Sequence, residues 1–491
     1  MTARKRLLHS GNWDRGAGAG KGMLFRVSDI LAATGGELIS GSPDLAIAGV
    51  STDSRTVAPG ELFVPLVGER FDGHDFLAEV SERGVAALLC GRDRLGALSG
   101  QVGAVCIAVN DTLRALGDLA TWYRNRFQIP VIGVTGSNGK TTTKEMLAAI
   151  LGMTGRGLKT SGNLNNLIGL PRMLFQLQEQ HQWAVLEMGM SEFGEIDRLA
   201  EIAGPRIGII TNAVPAHLES LGSVEGVAKA KGELFLRLPV GGVAVFNADD
   251  HRIAACPSPD GVARISFGLG KADVTLRELS GLGRRGQSFK LLLGSREIPV
   301  TLRALGRHNL YNALAAAAAA DQLGVALETI KAGLESFSPY DKRFALEEVG
   351  GLVLIDDSYN SNPASVRAAL ETVRDIREEC GAVAVLGDML ELGESTAELH
   401  REVGRLAASC IDRLYLLGEM AGQVADGARA EGMAAGSILI AGSHEEILAD
   451  LLRLAVPGDH ILVKGSRGMR MERIAEGIRN AYAVAGSKGV V

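Results

Sequence analysis

Val131-Ile-Gly-Val-Thr-Gly-Ser-Asn-Gly-Lys-Thr-Thr-Thr-Lys144 passes from a short apolar run through a glycine-bearing loop into a stretch with helical character. A strand, a loop and a helix in that order make a phosphate-binding loop. Gly136 and Gly139 let backbone N–H groups turn toward phosphate oxygens, and the helix start adds its positive end. Lys140 neutralises charge on the outer phosphates and Thr141 supplies a hydroxyl for Mg²⁺. Val134 stands where the first glycine of the usual G-x-x-x-x-G-K spacing falls, so the loop is a variant of that pattern. Gly136, Ser137, Asn138, Gly139, Lys140, Thr141 and Thr142 are thus the expected contacts to ATP. A motor, a kinase or a switch could use the same loop, so ATP binding alone leaves the reaction open.

Around this loop the pattern of short apolar strand and helix repeats. Pro130–Val134, Trp183–Glu187, Ile207–Thr211 and Val243–Asn247 read as buried strands of a parallel sheet covered on both faces. The alternating stretch from Asp273 to Leu302 predicts an antiparallel extension, followed by a helix near His308 whose Ala315–Ala320 run implies tight packing. Past Ser338-Pro-Tyr340 five further strands are expected: Leu352–Asp356, Val383–Gly387, Leu414–Gly418, Ile438–Ala441 and Ile461–Lys464. The fold class is α/β in three domains: a small N-terminal α/β domain (23–128), a central P-loop domain with a parallel sheet (129–338) and a C-terminal Rossmann-like domain (339–491). The basic, Gly-rich start (1–22) is read as a disordered extension or as the product of a start codon placed too early.

Length and composition agree. A chain of 491 residues exceeds what one core can organise, and 46% hydrophobic with 22% charged residues is ordinary globular composition. A net charge of −6 argues against nucleic acid as a partner and for small molecules. Five cysteines, odd in number and without C-x-x-C spacing, indicate neither a disulfide framework nor a zinc site and fit reduced, buried thiols. No apolar run is long enough to span a bilayer and no secretory signal is evident, so a cytoplasmic protein, a monomer without an integral membrane segment, is expected.

Five segments narrow the chemistry. Thr135-Gly-Ser-Asn-Gly-Lys-Thr-Thr142, Leu186-Glu-Met-Gly189, Ala216-His-Leu-Glu219, Ala228-Lys-Ala-Lys-Gly-Glu233 and Gly306-Arg-His-Asn-Leu-Tyr-Asn312 resemble, in order, the central domain of the bacterial Mur ligases, relatives of folylpolyglutamate synthase. The resemblance runs from Met23 to about Gly477 and implies three domains binding UDP-sugar, ATP and the incoming amino component. Asp356-Asp-Ser-Tyr-Asn-Ser-Asn-Pro363, Leu386-Gly-Asp-Met-Leu-Glu-Leu-Gly393 with His400, and Val463-Lys-Gly-Ser-Arg-Gly-Met-Arg-Met-Glu472 resemble the branch that joins D-alanyl-D-alanine to UDP-N-acetylmuramoyl-tripeptide in peptidoglycan synthesis. Ser361 sits where alanine is more usual.

That chemistry suits the residues. Joining a carboxylate to an amine is uphill in water, so ATP must first convert the carboxylate to an acyl phosphate, and bringing two anions together demands cations. The resemblance implies Lys140, Glu187, His217, Lys231 and Arg343 as the catalytic group. Glu187, at a strand end beside the phosphate loop, would hold Mg²⁺; His217 would serve a second Mg²⁺. Related enzymes carbamylate the lysine matching Lys231, selected over Lys229 by the Leu234-Phe235 that follows, turning it into an anion that helps hold that metal; the plain alternative is a charged lysine on phosphate. Asn309 and Asn312 resemble the pair that meets the nucleotide base, with a plain helix cap at Asn309 as the alternative. Arg343 resembles an arginine that reaches the phosphates across a hinge near Ser338–Lys342, and Asp357 the acid on the ATP ribose. Asn360, Asn362, Lys464, Ser466 and Arg467 are candidates for the dipeptide side. Ser51, Thr52, Asp53, Ser54 and Arg55, with Gly68–Phe76, resemble the segments that bind the uridine diphosphate. Two other readings remain: a ligase adding a different amino acid to a UDP-muramoyl-peptide or a folate, and a nucleotide-driven switch that forms no bond.

Overall fold

A computed structural model describes residues 24–68, 71–98, 103–339 and 342–487. The proposed N-terminal extension (1–22), and Glu69, Arg70, Tyr340 and Asp341 within two of the segments read above, lie outside the described residues. The chain divides into two compact units, meeting at Tyr123 and Arg124.

In the first unit β1 (Phe25–Arg26) pairs antiparallel with β3 (Ala46–Ile47). The other strands are β2 (Glu37–Ser40), β4 (Val50–Ser51), β5 (Leu62–Phe63), β6 (Ala87–Gly91) and β7 (Val105–Val109), in the order β2-β7-β6-β5-β4. The strands β4 to β7 run parallel and β2 closes the edge antiparallel. All five residues of β6 and of β7 are buried, as the centre of a covered sheet requires.

The second unit holds two sheets. The larger has nine strands: β8 (Val131–Thr135), β9 (Leu158–Lys159), β10 (Ala184–Glu187), β11 (Ile207–Ile210), β12 (Val243–Asn247), β13 (Ala263–Phe267), β14 (Val274–Gly281), β15 (Gln287–Leu293) and β16 (Arg296–Leu302), in the order β16-β15-β14-β13-β12-β11-β8-β10-β9. Pairing is parallel from β9 to β14 and antiparallel from β14 to β16, the extension that the alternation of 273–302 predicts. The helix Arg307–Gln322 lies on one face beside the helix Lys140–Gly152, and its Ala315–Ala320 run is entirely buried, because methyl side chains let the two backbones approach. The helix Val224–Leu236 covers the other face, where Leu234 sits over Gly133 and Gly208. The short edge strand β9 and the strand β13, with its one-sided burial, carry too weak a pattern to be read from sequence.

The second sheet comprises β17 (Ala345–Val349), β18 (Leu352–Asp357), β19 (Ala382–Gly387), β20 (Arg413–Leu417), β21 (Ile438–Ala441) and β22 (His460–Lys464), ordered β17-β18-β22-β19-β20-β21. Five of these are the expected parallel strands; β17 is an antiparallel edge that sequence reading misses, since its Glu347 and Glu348 break the apolar pattern. Successive residues feed opposite cores: Leu462 joins Ile355, Leu386 and Leu414 on one face, while Ile461 and Val463 join Leu354, Val385 and Tyr415 on the other. Each such buried aliphatic contributes about 1.5–3 kcal/mol. Both sheets of this unit therefore offer their strand C-terminal ends, free of core duties, for ligand binding. Four cysteines are buried as expected, whereas Cys380 is exposed, and none is in a disulfide.

Candidate active site

Between the C-terminal ends of β8 and β18 lies a cavity of about 660 Å³ lined by the loop 136–140, by Glu187, His217 and Lys231, and by Arg343, Asp357 and Lys464. The loop is held in shape from behind. Gly136 has φ 147° and Gly139 φ 83°. A Cβ would fall 1.8 Å from Thr211 Oγ1 at the first and 2.2 Å from Asn312 Oδ1 at the second, so glycine is required at both by conformation and by space. Ser137 exchanges hydrogen bonds with the Val214 backbone, and the Asn138 N–H donates to Asn212 Oδ1 at 3.0 Å. Lys140 folds back over the loop, its Nζ donating to the Gly136 carbonyl at 2.8 Å. Burial lowers its pKa, Glu187 opposes that and Arg343 adds to it. A phosphate entering here would meet an ammonium whose interim partners are carbonyls.

Glu187 ends β10 in register with Val134 and is buried. Its carboxylate accepts from Thr141 Oγ1 at 2.8 Å and from Asn165 Nδ2 at 2.9 Å, and its N–H donates to Thr160 Oγ1 at 2.9 Å. The hydroxyl and carboxylate read as Mg²⁺ ligands are thus side by side. Among the described residues no cluster of three or more His, Cys, Asp or Glu forms a metal cage. One carboxylate and one hydroxyl facing a phosphate loop fit the habit of Mg²⁺, which keeps waters and takes its remaining ligands from substrate phosphates.

His217 sits with φ 52° and its Nδ1 donates to Glu391 Oε2 at 2.7 Å. Burial lowers its pKa most, Glu391 raises it, and Lys231 and Lys140 lower it further. Lys231 is buried and has no hydrogen-bond or ion-pair partner among the described residues. Burial, reinforced by Lys140, pushes its pKa well below the usual lysine value, which favours the uncharged amine. Lys229, by contrast, is exposed and stands over the Phe193 ring at 5.8 Å.

At the other end of the cavity Asn312 accepts from Thr143 Oγ1 at 3.2 Å and donates to Asn309 Oδ1 at 3.0 Å, and Asn309 donates to the Leu305 carbonyl at 2.7 Å. Gly306, not Asn309, occupies the cap position of this helix. From the second sheet, Arg343 lies over the Tyr359 ring at 4.1 Å. Asp357 accepts from Lys464 Nζ at 2.6 Å and from the Phe344 N–H at 3.1 Å, and Lys464 also donates to the Asn360 carbonyl at 3.0 Å. Asn362 and Asn138 exchange two amide hydrogen bonds, at 3.0 and 2.7 Å, tying the phosphate loop to the segment after β18. Asn362 also caps the helix Pro363–Ile376, accepting from the Ser365 N–H at 2.9 Å.

Asn360, Asn362 and Lys464 therefore line the cavity, whereas Ser466 and Arg467 do not. Ser466 is buried and accepts from the Leu390 N–H at 2.9 Å, and Arg467 pairs with Glu472 at 3.2 Å. In the first unit, Ser51 Oγ and the Asp53 N–H are hydrogen-bonded at 3.2 Å, and Arg55, largely exposed, pairs with both Asp53 oxygens, at 2.9 and 2.7 Å. Ser54 is half-buried beside it, as is Thr52. Asn165, His308, Tyr359 and Glu391 belong to the site or its rim and are missed by sequence reasoning. The last three lie inside quoted segments; Asn165 lies in the polar run Ser161–Asn166, which only the sheet brings to Glu187.

A glycine-loop phosphate cradle at the end of a parallel sheet, faced across a cavity by a second parallel sheet, defines a P-loop nucleotide-using enzyme. The chain belongs to the Mur ligase family. Models described as the Mur ligase family catalytic domain, the Mur ligase middle domain and the Mur ligase glutamate ligase domain match residues 46–124, 134–320 and 342–467. The UDP-N-acetylmuramoyl-tripeptide--D-alanyl-D-alanine ligase of Escherichia coli K12 is 37% identical over 93% of this chain and 98% of its own. That of Bacillus subtilis is 39% identical over 88% and 93%. Among solved structures, MurF from Acinetobacter baumannii superposes with TM-score 0.85 at 34% identity, covering 93% of this chain and 99% of its own. MurF ligase from Thermotoga maritima in complex with ADP gives 0.79 at 28%, covering 89% and 98%. No helix among the described residues is long and apolar enough to cross a membrane.

Proposed function

We propose that this chain joins D-alanyl-D-alanine to UDP-N-acetylmuramoyl-tripeptide at the expense of ATP. The observation that carries this reading is likeness along nearly the whole length of both chains to the E. coli ligase so named. The match of residues 342–467 to the Mur ligase glutamate ligase domain takes in the segments after β18 and β19, on the sheet facing the phosphate loop.

In this reading a carboxylate oxygen of the tripeptide attacks the γ-phosphorus, the bond to ADP breaks, and an acyl phosphate forms. The dipeptide amine then attacks the acyl carbon, the carbon–oxygen bond to phosphate breaks, and the amine proton is lost. Lys140 and Arg343, on opposite walls of the cavity, hold the transferring group and spread its charge. Mg²⁺ ions bound by Thr141 and Glu187, and by His217 and Lys231, would neutralise the converging anions. The burial of Lys231 without a counter-ion, which favours its uncharged form, supports carbamylation: the amine can attack CO₂ with loss of a proton, and the resulting anion would relieve its lack of a partner. Asn309 and Asn312 take the base and Asp357 the ribose. Asn360, Asn362 and Lys464 face the dipeptide with amides and a cation. Ser51–Arg55 in the first unit takes the uridine diphosphate, Arg55 exchanging Asp53 for phosphate. The polypeptide works as a cytoplasmic monomer in three domains, with nucleic acid playing no part.

The test is phosphate release from ATP with UDP-N-acetylmuramoyl-tripeptide, each amine being offered in turn. Release dependent on D-alanyl-D-alanine is expected. Release that needs no amine, or that follows a single amino acid, would refute the proposal.

A further inference from the structure

The Leu386–Gly393 segment is held as a rigid arm. The Asp388 carboxylate accepts from the Glu419 and Met420 N–H groups at 2.8 and 3.1 Å. The Met389 N–H donates to His400 Nε2 at 3.0 Å, a tautomer set by the bond from His400 Nδ1 to the Thr396 carbonyl. The next N–H, of Leu390, donates to Ser466 Oγ, and the Ser466 N–H returns a bond to the Asp388 carbonyl at 3.0 Å. At the tip of the arm is Glu391, in the left-handed region at φ 64°. It makes two contacts with the first sheet's side: its carboxylate accepts from His217 Nδ1 and its carbonyl accepts from the Leu218 N–H at 3.2 Å.

This pair does little for stability. The Glu391 side chain is 60% exposed and that of His217 32%, and contacts so placed contribute about 0–1 kcal/mol. Left-handed backbone at both non-glycine residues costs on the order of 1 kcal/mol each. Strain held by a braced loop for so small a return points to a job of orientation. A carboxylate on Nδ1–H fixes the tautomer in which Nε2 carries the lone pair, and no described group takes Nε2.

We propose that Glu391 is a positioning residue that holds His217 with Nε2 presented to the second cation, so that this cation site is complete only when the β19 arm is docked. The proposal rests on the reading of His217 as serving that cation. Asp388, His400 and Ser466 then act through the arm, aiming Glu391 without touching substrate.

The experiment is a Mn²⁺ titration followed by electron paramagnetic resonance, with a non-hydrolysable ATP analogue and UDP-N-acetylmuramoyl-tripeptide bound. Wild type should take up two ions. Glu391→Ala should weaken only the second, about 10–100-fold, and Glu391→Gln, whose amide oxygen still accepts from Nδ1–H, should restore it. In the ligand-free protein, nitrogen-15 histidine spectra should show the His217 Nδ1–H tautomer in wild type and Glu391→Gln. A mixture is expected in Glu391→Ala and in Glu391→Met, the second variant keeping the side-chain bulk should the first fold poorly. Two unchanged affinities in Glu391→Ala, with His217→Ala losing one ion, would overturn the proposal and leave the role of His217 standing. Two ions retained by His217→Ala would overturn both.

Discussion

Removing the amide bridge between Asn138 and Asn362 should uncouple the phosphate loop from the second sheet by an amount the geometry sets. Each of the two bonds, at 3.0 and 2.7 Å, joins the half-buried amide of Asn138 to the buried amide of Asn362 and contributes about 1 kcal/mol net. Asn138→Ala should therefore cost about 2 kcal/mol. Asn362→Ala should cost about 3, because the same side chain caps the helix Pro363–Ile376 and a lost cap adds about 1 kcal/mol. Asn362→Ser separates the two roles, since serine caps as well as asparagine but cannot return the amide pair. The assay is a double-mutant cycle by urea unfolding, read in the transition that exposes the second unit. The double variant Asn138→Ala/Asn362→Ala should cost less than the singles together, the difference being about 1–2 kcal/mol of coupling. ATP affinity should fall in both singles, because the loop loses a fixed wall. Additive costs, or Asn362→Ser behaving as wild type in the cycle, would refute the view that this bridge joins the two sheets.

Glu187→Ala should lower turnover on the order of 10²-fold or more, with only partial rescue by added Mg²⁺; an unchanged Mg²⁺ dependence would count against Glu187 as a ligand. Lys231 should yield a carbamate carbon signal when the protein is equilibrated with [¹³C]bicarbonate, stronger as pH rises and absent in Lys231→Met. Burial pushes His308 from 6.5 to about 4, with Asp357 opposing and Lys464 adding, and its Nδ1 is buried without a partner. The unfolded chain takes the proton that the folded one refuses. His308 thus adds stability that is full above pH 6.5 and lost as pH falls toward 4, at most roughly 3 kcal/mol. The thermal midpoint of wild type should fall across that window and that of His308→Gln should fall less.

The strands that matter most are legible in the residues alone. In Val131–Thr135 and Ile461–Val463 every residue is apolar, glycine or a strand former, and only a sheet covered on both faces buries such runs. The phosphate loop was equally legible, because Gly136 and Gly139 answer a local need for backbone that other residues cannot adopt. Lys231 is preferred to Lys229 through the resemblance alone, on the Leu234-Phe235 that follows it, and the helix Val224–Leu236 buries Lys231 and leaves Lys229 exposed. Pairings across long separations, by contrast, come from the folded arrangement. Asn138 with Asn362, His217 with Glu391, and Asp357 with Lys464 are 224, 174 and 107 positions apart. No local propensity encodes them. Ser466 shows the limit: its type suits a ligand's carboxylate, yet its oxygen accepts from the Leu390 N–H and its hydroxyl donates to the Ser361 carbonyl at 3.4 Å, because buried polar groups must be satisfied wherever the fold puts them.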